Sequence, residues 1–313
     1  MSEDAALPPP RVVVAVLTFR RPEQLRRLLP RLIEQVASLE PSGSVLVVDN
    51  DPAGSAAADV LAADPAAVRY VHEPRPGIAA ARNRALDEAT GYDALVFIDD
   101  DELPGPGWLT GLVGSWRDWG CAAVSGPVRA QFPSQPPAWV QASRVFDRRR
   151  RASGSIVPGA ATNNLLLDLA VINRLGLRFD DRFGLTGGED TMFSRALRRG
   201  GGEIRWCDEA EVIEPVAPDR ATRRWVLRRE YRAGTSWSAV ELALAGTRTA
   251  RAGVRVSLAA RAVARIGRAL VRTAIGRATR DVDRQAPADV EIVACTGMLL
   301  GAAGVTFREY RRR

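Results

Sequence analysis

Short apolar runs alternate with amphipathic segments between residues 12 and 124, and this alternation constrains the fold more than any other feature. Between the runs, Leu or Ala recurs at three- and four-residue intervals, as on one face of a helix. Near-continuous apolar strands alternating with helices favour a parallel sheet covered on both faces, and the crossovers between such strands are right-handed. The sequence therefore predicts an α/β fold with a Rossmann-like, doubly wound, mainly parallel sheet. The predicted strands cover 12–17, 45–48, 68–71, 94–98 and 121–124.

The pattern changes twice farther along the chain. From Gly126 to Gly159 it gives way to Pro, Gln, Ser and a basic run, which we interpret as a long functional loop. From about residue 220 the sequence is helical and rich in arginine. We therefore place a boundary near residue 215. The predicted parts are a disordered N-terminus at 1–10, a catalytic domain at 11–215 and a C-terminal helical, Arg-rich extension at 216–313.

The basic residues exclude several reaction classes. The chain has no lysine and its only histidine is His72, so a Walker A lysine, a pyridoxal Schiff base and a lysine nucleophile are all excluded. Carboxylates must then carry any acid or base chemistry. Cys121, Cys207 and Cys295 lie far apart without CxxC spacing, which indicates buried thiols rather than a zinc site or a disulfide framework.

The net charge of +7 is concentrated in one region, since residues 220–284 hold 16 Arg and four acids. Such a region suggests contact with phosphates of a membrane surface, a lipid carrier or a nucleotide, and a solvated helix face is an equally weighted alternative. We predict no nucleic-acid partner. No signal-peptide core or run of about 18 apolar residues is present, so we predict a cytoplasmic protein, with a peripheral location on the inner face of the cell membrane as the alternative.

Polar clusters follow three of the predicted strands. They are Thr18 to Arg20, Asp49 with Asn50, and Asp99 to Asp101. Ligands bind at the carboxyl ends of strands in open parallel sheets, so we expect these clusters at one edge. No GxGxxG joins the first strand to its helix, which argues against a dinucleotide fingerprint. Asp99 and Asp101 can instead ligate Mg²⁺ or Mn²⁺ carrying a diphosphate, whereas a hydrated helix-capping turn is the alternative.

Five motifs in this order resemble the family 2 glycosyltransferases of A-type fold, over roughly residues 11–235. They are VAVLTFRRP, VLVVDN, PGIAAARNRAL, LVFIDDDELPGPGWL and GGEDTMFSRALRRGG. The resemblance implies an inverting transferase that uses Mn²⁺ or Mg²⁺, a nucleotide-sugar donor, most commonly with UDP, and a hydroxyl acceptor. It implies that Thr18 and Arg20 contact the nucleoside and that Asp49 contacts the base. Arg82 would contact the nucleotide, Asp99 the ribose or the metal, and Asp100 is assigned to nucleotide-sugar binding as well. Asp101 and Asp99 become the metal ligands.

The resemblance also makes Asp190 the catalytic base, with Glu189 shaping the acceptor site. A carboxylate facing the sugar suits direct displacement, because it can remove the proton of the acceptor hydroxyl. Acids in a first helical turn also favour the helix dipole, and both readings can hold together. Trp108, Gly187 and Gly188 are assigned to acceptor binding.

Two departures from the family pattern leave alternatives open. Family members commonly carry a metal-binding His after the GED helix, whereas this chain offers Glu214 as a third ligand or a surface acid. Arg220, Arg224 and Trp225 are candidates for diphosphate binding, and an amphipathic helix packed by Trp225 is the alternative. A nucleotidyltransferase of similar fold, or a catalytically silent module that binds nucleotide sugars or anionic surfaces, remains a competing function.

Overall fold

The computed structural model describes residues 9–306, which fold into two compact units. Most of the predicted disordered N-terminus, residues 1–8, lies outside the described residues. The first unit contains a seven-stranded sheet in the order β3-β2-β1-β4-β8-β6-β9. Its strands are β1 Val12–Thr18, β2 Ser44–Asp49, β3 Val68–His72, β4 Ala94–Asp99, β6 Ala123–Ser125, β8 Asn164–Asp168 and β9 Ile204–Trp206; the short β5 Leu103–Pro104, β7 Val128–Gln131 and β10 Val212–Pro215 lie outside it.

Six of the strands run parallel to a neighbour, and β8 runs antiparallel between β4 and β6. Alternate side chains of β1 enter two separate hydrophobic clusters, with Val14 and Val16 in one and Val13 and Ala15 in the other. A strand buried on both faces needs apolar residues at every position, which explains its unbroken apolar run. The predicted doubly wound, mainly parallel sheet is confirmed.

Helices connect the strands where the sequence periodicity places them. Pro22 begins α1, and its Leu25, Leu28 and Leu32 face the core. The helices are α1 Pro22–Ala37, α2 Ala57–Leu61, α3 Ile78–Glu88, α4 Trp108–Trp119, α5 Ala138–Ser143, α6 Leu169–Arg174, α7 Glu189–Arg199, α8 Arg223–Leu244, α9 Arg248–Thr279 and α10 Val282–Ala302, with a 3₁₀ turn at Asp181–Phe183.

The sheet register brings the predicted polar clusters to one edge. Thr18 of β1 lies opposite Asp49 of β2, and Leu17 lies opposite Asp99 of β4. The three strands are adjacent and parallel, so their carboxyl ends coincide. The fold therefore places the acidic turn that follows β4 beside the turn that follows β1.

The prediction of a long loop from Gly126 to Gly159 is only partly right. β7 pairs at its end with the segment after β10, where the Val216 N–H donates to the Gln131 carbonyl at 2.8 Å. Pro137 directly precedes α5, and this short helix was not predicted because it lies in a Pro-rich sequence. Pairing between residues far apart in sequence leaves no local signal, so the strand could not be predicted from composition.

Among the described residues, the second unit comprises 129–148, 182–192 and 214–306. Its largest part is helices α8, α9 and α10, as the predicted helical extension requires. Gly234 of α8 and Gly297 of α10 let these two helices approach closely, since a Cβ at either position would lie 2.0 Å from a carbonyl oxygen of the other helix. Within residues 9–306, we find no helix with the length and apolarity needed to cross a membrane.

Candidate active site

The acidic turn after β4 is tied to the end of β1 by direct hydrogen bonds. The Thr18 hydroxyl donates to Asp100 at 2.9 Å, and Arg21 donates to Asp100 at 2.7 Å and to Asp101 at 3.0 Å. Thr18 and Asp100 are both buried. In this conformation the two side chains are hydrogen-bonded to each other and buried, so neither one is placed to contact the nucleotide directly. Arg21, which the sequence reasoning did not assign, holds two of the three carboxylates.

The pKa values of Asp99 and Asp100 are both raised at this turn. Desolvation, opposed by Arg82 and reinforced by repulsion from Asp101 and Asp100, raises the pKa of Asp99 to about 7. Burial also raises the pKa of Asp100, although Arg21 acts in the opposite direction. Arg82 is buried on α3, with its guanidinium carbon 5.5 Å from the centre of the Phe179 ring. Burial and neighbouring carboxylates therefore both oppose ionisation of Asp99 at this edge of the sheet, while Arg82 favours it.

Asp49 does not reach the surface. Its carboxylate accepts hydrogen bonds from the backbone N–H groups of Asp51 and Ala56, at 2.9 and 2.7 Å, and from the Tyr70 hydroxyl at 3.1 Å. The Asp49 side chain is fully buried in this conformation, and its contact with a nucleotide base stays a prediction. The hydrogen bonds of its carboxylate fix the loop after β2, a role that the position of Asp49 after a strand could not distinguish from ligand binding.

Phe19 and Arg20 are the exposed members of the β1 turn. Arg20 has a φ of 55°, in the left-handed region that few non-glycine residues adopt. Its guanidinium lies 3.3 Å from Asp51 and 5.1 Å from the centre of the Phe19 ring. Burial alone would favour the neutral acid, yet hydrogen bonds from Ser55 and Ala53 and the charge of Arg20 lower the pKa of Asp51. The predicted nucleoside contact through Arg20 is sterically open.

Trp108 does not suit the acceptor role assigned to it. The side chain is fully buried at the start of α4, and its indole N–H donates to Asn164 at 2.9 Å. No part of the ring can contact an acceptor in this conformation, so the prediction is corrected to a core position. A Trp directly after a loop has the same sequence pattern in either role.

In the second unit, Asp190 lines a cavity of about 300 Å³. Its carboxylate accepts from the Thr191 N–H at 2.6 Å in the first turn of α7, whereas Glu189 is buried. Gly187 and Gly188 have φ values of 77° and 103°, and a Cβ at Gly188 would lie 2.9 Å from Val240. Thus Asp190 and the two glycines lie together. The cavity is lined by Gly187, Gly188, Asp190, Thr191, Arg229, Arg232, Ala233, Ser236, Trp237 and Val240.

Two arginines that the sequence reasoning missed, Arg229 and Arg232, contribute to the same cavity. Burial, followed by repulsion from Arg148, lowers the pKa of Arg229, although Glu214 and Glu230 act in the opposite direction. The available signal was helical spacing, because Arg229 follows Trp225 by one turn and both face inward. An anionic group would be stabilised at this end of the cavity.

The residues predicted to bind diphosphate are less clearly placed. The Trp225 ring stacks on Phe146 with centroids 5.8 Å apart and planes 12° from parallel, and Arg229 lies over the Trp225 ring. This contact matches the packing alternative for Trp225. Arg224 is exposed and Arg220 is half-buried, so their phosphate role stays a prediction.

Glu214, the predicted third metal ligand, forms an ion pair with Arg148 at 2.8 Å within the second unit. The role of Glu214 as a ligand stays a prediction. Across the part of the chain that the structure describes, no three His, Cys, Asp or Glu side chains are grouped so as to hold a metal by themselves. Among these residues, only a pair of carboxylates, such as Asp99 with Asp101, is a candidate to hold a metal ion.

The family assignment follows from sequence comparison. The model of the family described as glycosyl transferase family 2 matches residues 13–175. The succinoglycan biosynthesis protein ExoM of Rhizobium meliloti (strain 1021) is 40% identical over 228 residues, which are 71% of this chain and 72% of that protein. The chain belongs to glycosyl transferase family 2. The pre-mycofactocin glycosyltransferase of Mycobacterium tuberculosis (strain CDC 1551 / Oshkosh) is 28% identical over 66% of this chain, which spans only 44% of that longer relative.

Solved structures show the same fold for this family 2 glycosyltransferase. The mannosyltransferase PcManGT from Pyrobaculum calidifontis, in complex with GDP-Man and Mn²⁺, aligns over 93% of this chain and 87% of its own, with a TM-score of 0.61 and 21% identity. GalNAc-T7 with UDP, GalNAc and Mn²⁺ aligns over 74% of this chain and 51% of its own, with a TM-score of 0.56 and 13% identity. The A-type glycosyltransferase fold is thereby confirmed.

Proposed function

We propose that this glycosyltransferase moves a sugar from a nucleotide diphosphate-sugar to an acceptor hydroxyl with inversion at the anomeric carbon. The observation that carries the proposal is the acidic turn after β4, where Asp99, Asp100 and Asp101 share one edge of the sheet with Arg21 and Arg82. Membership of family 2 supplies the reaction class, and the acidic edge supplies a binding site for its donor.

The acidic turn fits a divalent cation, Mn²⁺ or Mg²⁺. Arg21 and Thr18 hold Asp100 in place, and the repulsion that helps to raise the pKa of Asp99 is of the kind that a bound cation relieves. Asp99 and Asp101 would hold the ion through hard oxygen donors. Mg²⁺ sites commonly use only one or two carboxylates, together with substrate phosphates and water. When bound, the cation supplies charge neutralisation for the departing diphosphate.

In the proposed reaction, Asp190 is the general base. The acceptor oxygen forms a bond to the anomeric carbon while the bond between that carbon and the diphosphate oxygen breaks. The electron pair of the breaking bond stays on the diphosphate oxygen and leaves with the nucleoside diphosphate. The acceptor proton passes to the Asp190 carboxylate, which lines the cavity. Arg229 and Arg232 favour an anionic group in that cavity, and Gly187 and Gly188 admit the acceptor.

The remaining assignments are revised by the burial of the side chains. Phe19 and Arg20 are proposed to contact the nucleoside, whereas Thr18 and Asp49 shape the loops that present it. Arg82 is proposed to act on the nucleotide indirectly, because its positive charge favours the ionised form of Asp99. The division into a catalytic part before residue 215 and a helical extension after it also remains a proposal.

We further propose that UDP carries the sugar and that the acceptor belongs to a growing polysaccharide. The relative ExoM is named for succinoglycan biosynthesis, and GalNAc-T7 was solved with UDP. GDP remains the competing carrier, because PcManGT was solved with GDP-Man. A nucleotidyltransferase or a silent binding module would need the same acidic edge, and product analysis separates them from a glycosyltransferase.

A thermal-shift panel tests the donor assignment. UDP, GDP and dTDP sugars are added one at a time, each with and without Mn²⁺. We expect a UDP sugar with Mn²⁺ to raise Tm by several degrees, because ligand at about 100 times its Kd stabilises the native state by roughly 2.7 kcal/mol. The same sugar without Mn²⁺ should give little shift. A larger shift with GDP sugars would overturn the UDP assignment, and equal shifts with and without metal would overturn the metal site.

A further inference from the structure

One face of helix α9 is packed, and the opposite face is exposed and apolar. Leu258 and Ala262 belong to a hydrophobic cluster with Cys295, Met298 and Ala302 of α10. Seven residues make nearly two helical turns, so Val256, Val263 and Leu270 align on the other side of the helix. These residues, together with Val271 and Ile275, are called the apolar stripe. The exposed fractions of Val256, Val263, Leu270 and Val271 are 70, 61, 53 and 60%.

The apolar stripe is continuous along the helix. The positions that separate its large side chains on the same face are small and uncharged, including Ala260, Gly267 and Ala274. No charged residue interrupts it. A contiguous exposed apolar surface of this kind marks an interaction site, whereas single exposed apolar residues are common on any protein.

Arginines border the apolar stripe on both sides. Helix α9 contains eight Arg and no Asp or Glu. Arg265 donates to Glu291 of α10 at 2.8 Å, and Arg272 pairs with the same carboxylate. No carboxylate in residues 9–306 pairs with Arg255, Arg261 or Arg268. Part of the border is therefore neutralised by Glu291, whereas Arg255, Arg261 and Arg268 present positive charge that no carboxylate of the described residues compensates.

We infer that α9 docks on an anionic lipid bilayer, with the apolar stripe in the interfacial region and the bordering arginines among the lipid phosphates. A helix with one apolar face and basic borders has the composition of an interfacial helix. The helix lies on the surface, since no helix among the described residues has the apolar length to span. A second copy fits less well, because two apposed α9 helices would bring arginine rows together with no acid on either helix.

Vesicle sedimentation with the full chain tests the inference independently of transferase activity. One set of vesicles contains phosphatidylcholine alone, and the other contains about one third phosphatidylglycerol, both at low salt. We expect at least tenfold tighter binding to the anionic vesicles. Val263→Glu and Leu270→Glu should each weaken that binding by about tenfold or more, and Arg261→Gln with Arg268→Gln should weaken it severalfold and reduce its salt dependence.

The matched control is Leu61→Glu on α2, which places the same charge at an apolar side chain that is 77% exposed elsewhere. This variant should bind anionic vesicles like the unchanged protein, and circular dichroism and Tm check that every variant folds. The inference is overturned if the unchanged protein stays in the supernatant, if both vesicle types bind equally, or if Leu61→Glu weakens binding as much as Leu270→Glu. A dimer in solution that Val263→Glu converts to a monomer, without vesicle binding, would assign the apolar stripe to a second copy.

Discussion

Asp190→Asn is expected to lower the rate of sugar transfer by about a thousandfold, because a positioned general base contributes on the order of 10² to 10⁴ in rate. The amide keeps the shape of the carboxylate but cannot accept the acceptor proton. The Asp190 side chain accepts from the Thr191 N–H, a bond that the Asn oxygen can retain, so the start of α7 should survive the change. Turnover is measured as nucleoside diphosphate released in the presence of acceptor.

The matched control for this variant is Asp118→Asn, an exposed acid near the end of α4. It should leave turnover unchanged. Binding of the nucleotide with Mn²⁺, measured by calorimetry, should be the same in Asp190→Asn as in the unchanged protein, because the proposed donor contacts lie elsewhere. Near-normal transfer by Asp190→Asn would remove Asp190 from the role of base. Joint loss of binding and transfer would indicate a structural role for Asp190 instead.

Asp101→Asn is expected to weaken Mn²⁺-dependent nucleotide binding by about a hundredfold. The substitution removes one of the two carboxylates proposed to hold the cation, and charge neutralisation by a metal amounts to several kcal/mol. Asp101 is also the more exposed of the two carboxylates that Arg21 contacts, with 20% side-chain exposure against 5% for Asp100. Calorimetric titration with nucleotide, with and without Mn²⁺, measures the effect.

Asp100→Asn provides the contrast, because this carboxylate is buried between Thr18 and Arg21. We expect Asp100→Asn mainly to lower the free energy of unfolding, by about 1–3 kcal/mol, because the substitution leaves a polar partner without its carboxylate. The partial exposure of Arg21 keeps this loss small. Metal-dependent binding should fall less than in Asp101→Asn. If Asp100→Asn abolished metal dependence while Asp101→Asn kept it, the ligand assignment would have to be exchanged between the two.

The fold could be predicted largely from local pattern. The central strands are buried on both faces, so each one appears as an apolar run, and α1 has a clear Leu stripe after Pro22. The antiparallel insertion of β8 and the pairing of β7 were not accessible, because hydrogen bonds between distant segments leave no periodic signal. Helix α5 is hidden for a different reason, since it has only six residues and starts directly after Pro137, which leaves too few turns for a periodic pattern.

The candidate site was only partly predictable, because sequence position does not show which way a side chain points. Asp49 and Trp108 both occupy positions typical of ligand contacts, yet hydrogen bonds to buried partners draw them into the interior. Arg21 and Arg229 were overlooked among 44 basic residues, since their importance depends on which carboxylates and rings lie beside them. Asp190 was predicted through the family resemblance, with the two preceding glycines as support, and those glycines do adopt positive φ.

The most direct test of the proposed reaction is identification of the products formed from a nucleotide sugar. The protein is incubated with UDP sugars, Mn²⁺ and polysaccharide acceptor fragments, and the nucleotide products are separated by ion-exchange chromatography. We expect nucleoside diphosphate to appear together with glycosylated acceptor, and both to vanish when EDTA removes the metal. Nucleoside monophosphate with sugar phosphate, or nucleoside triphosphate formed from added pyrophosphate, would contradict glycosyl transfer and indicate nucleotidyl chemistry at the same acidic edge.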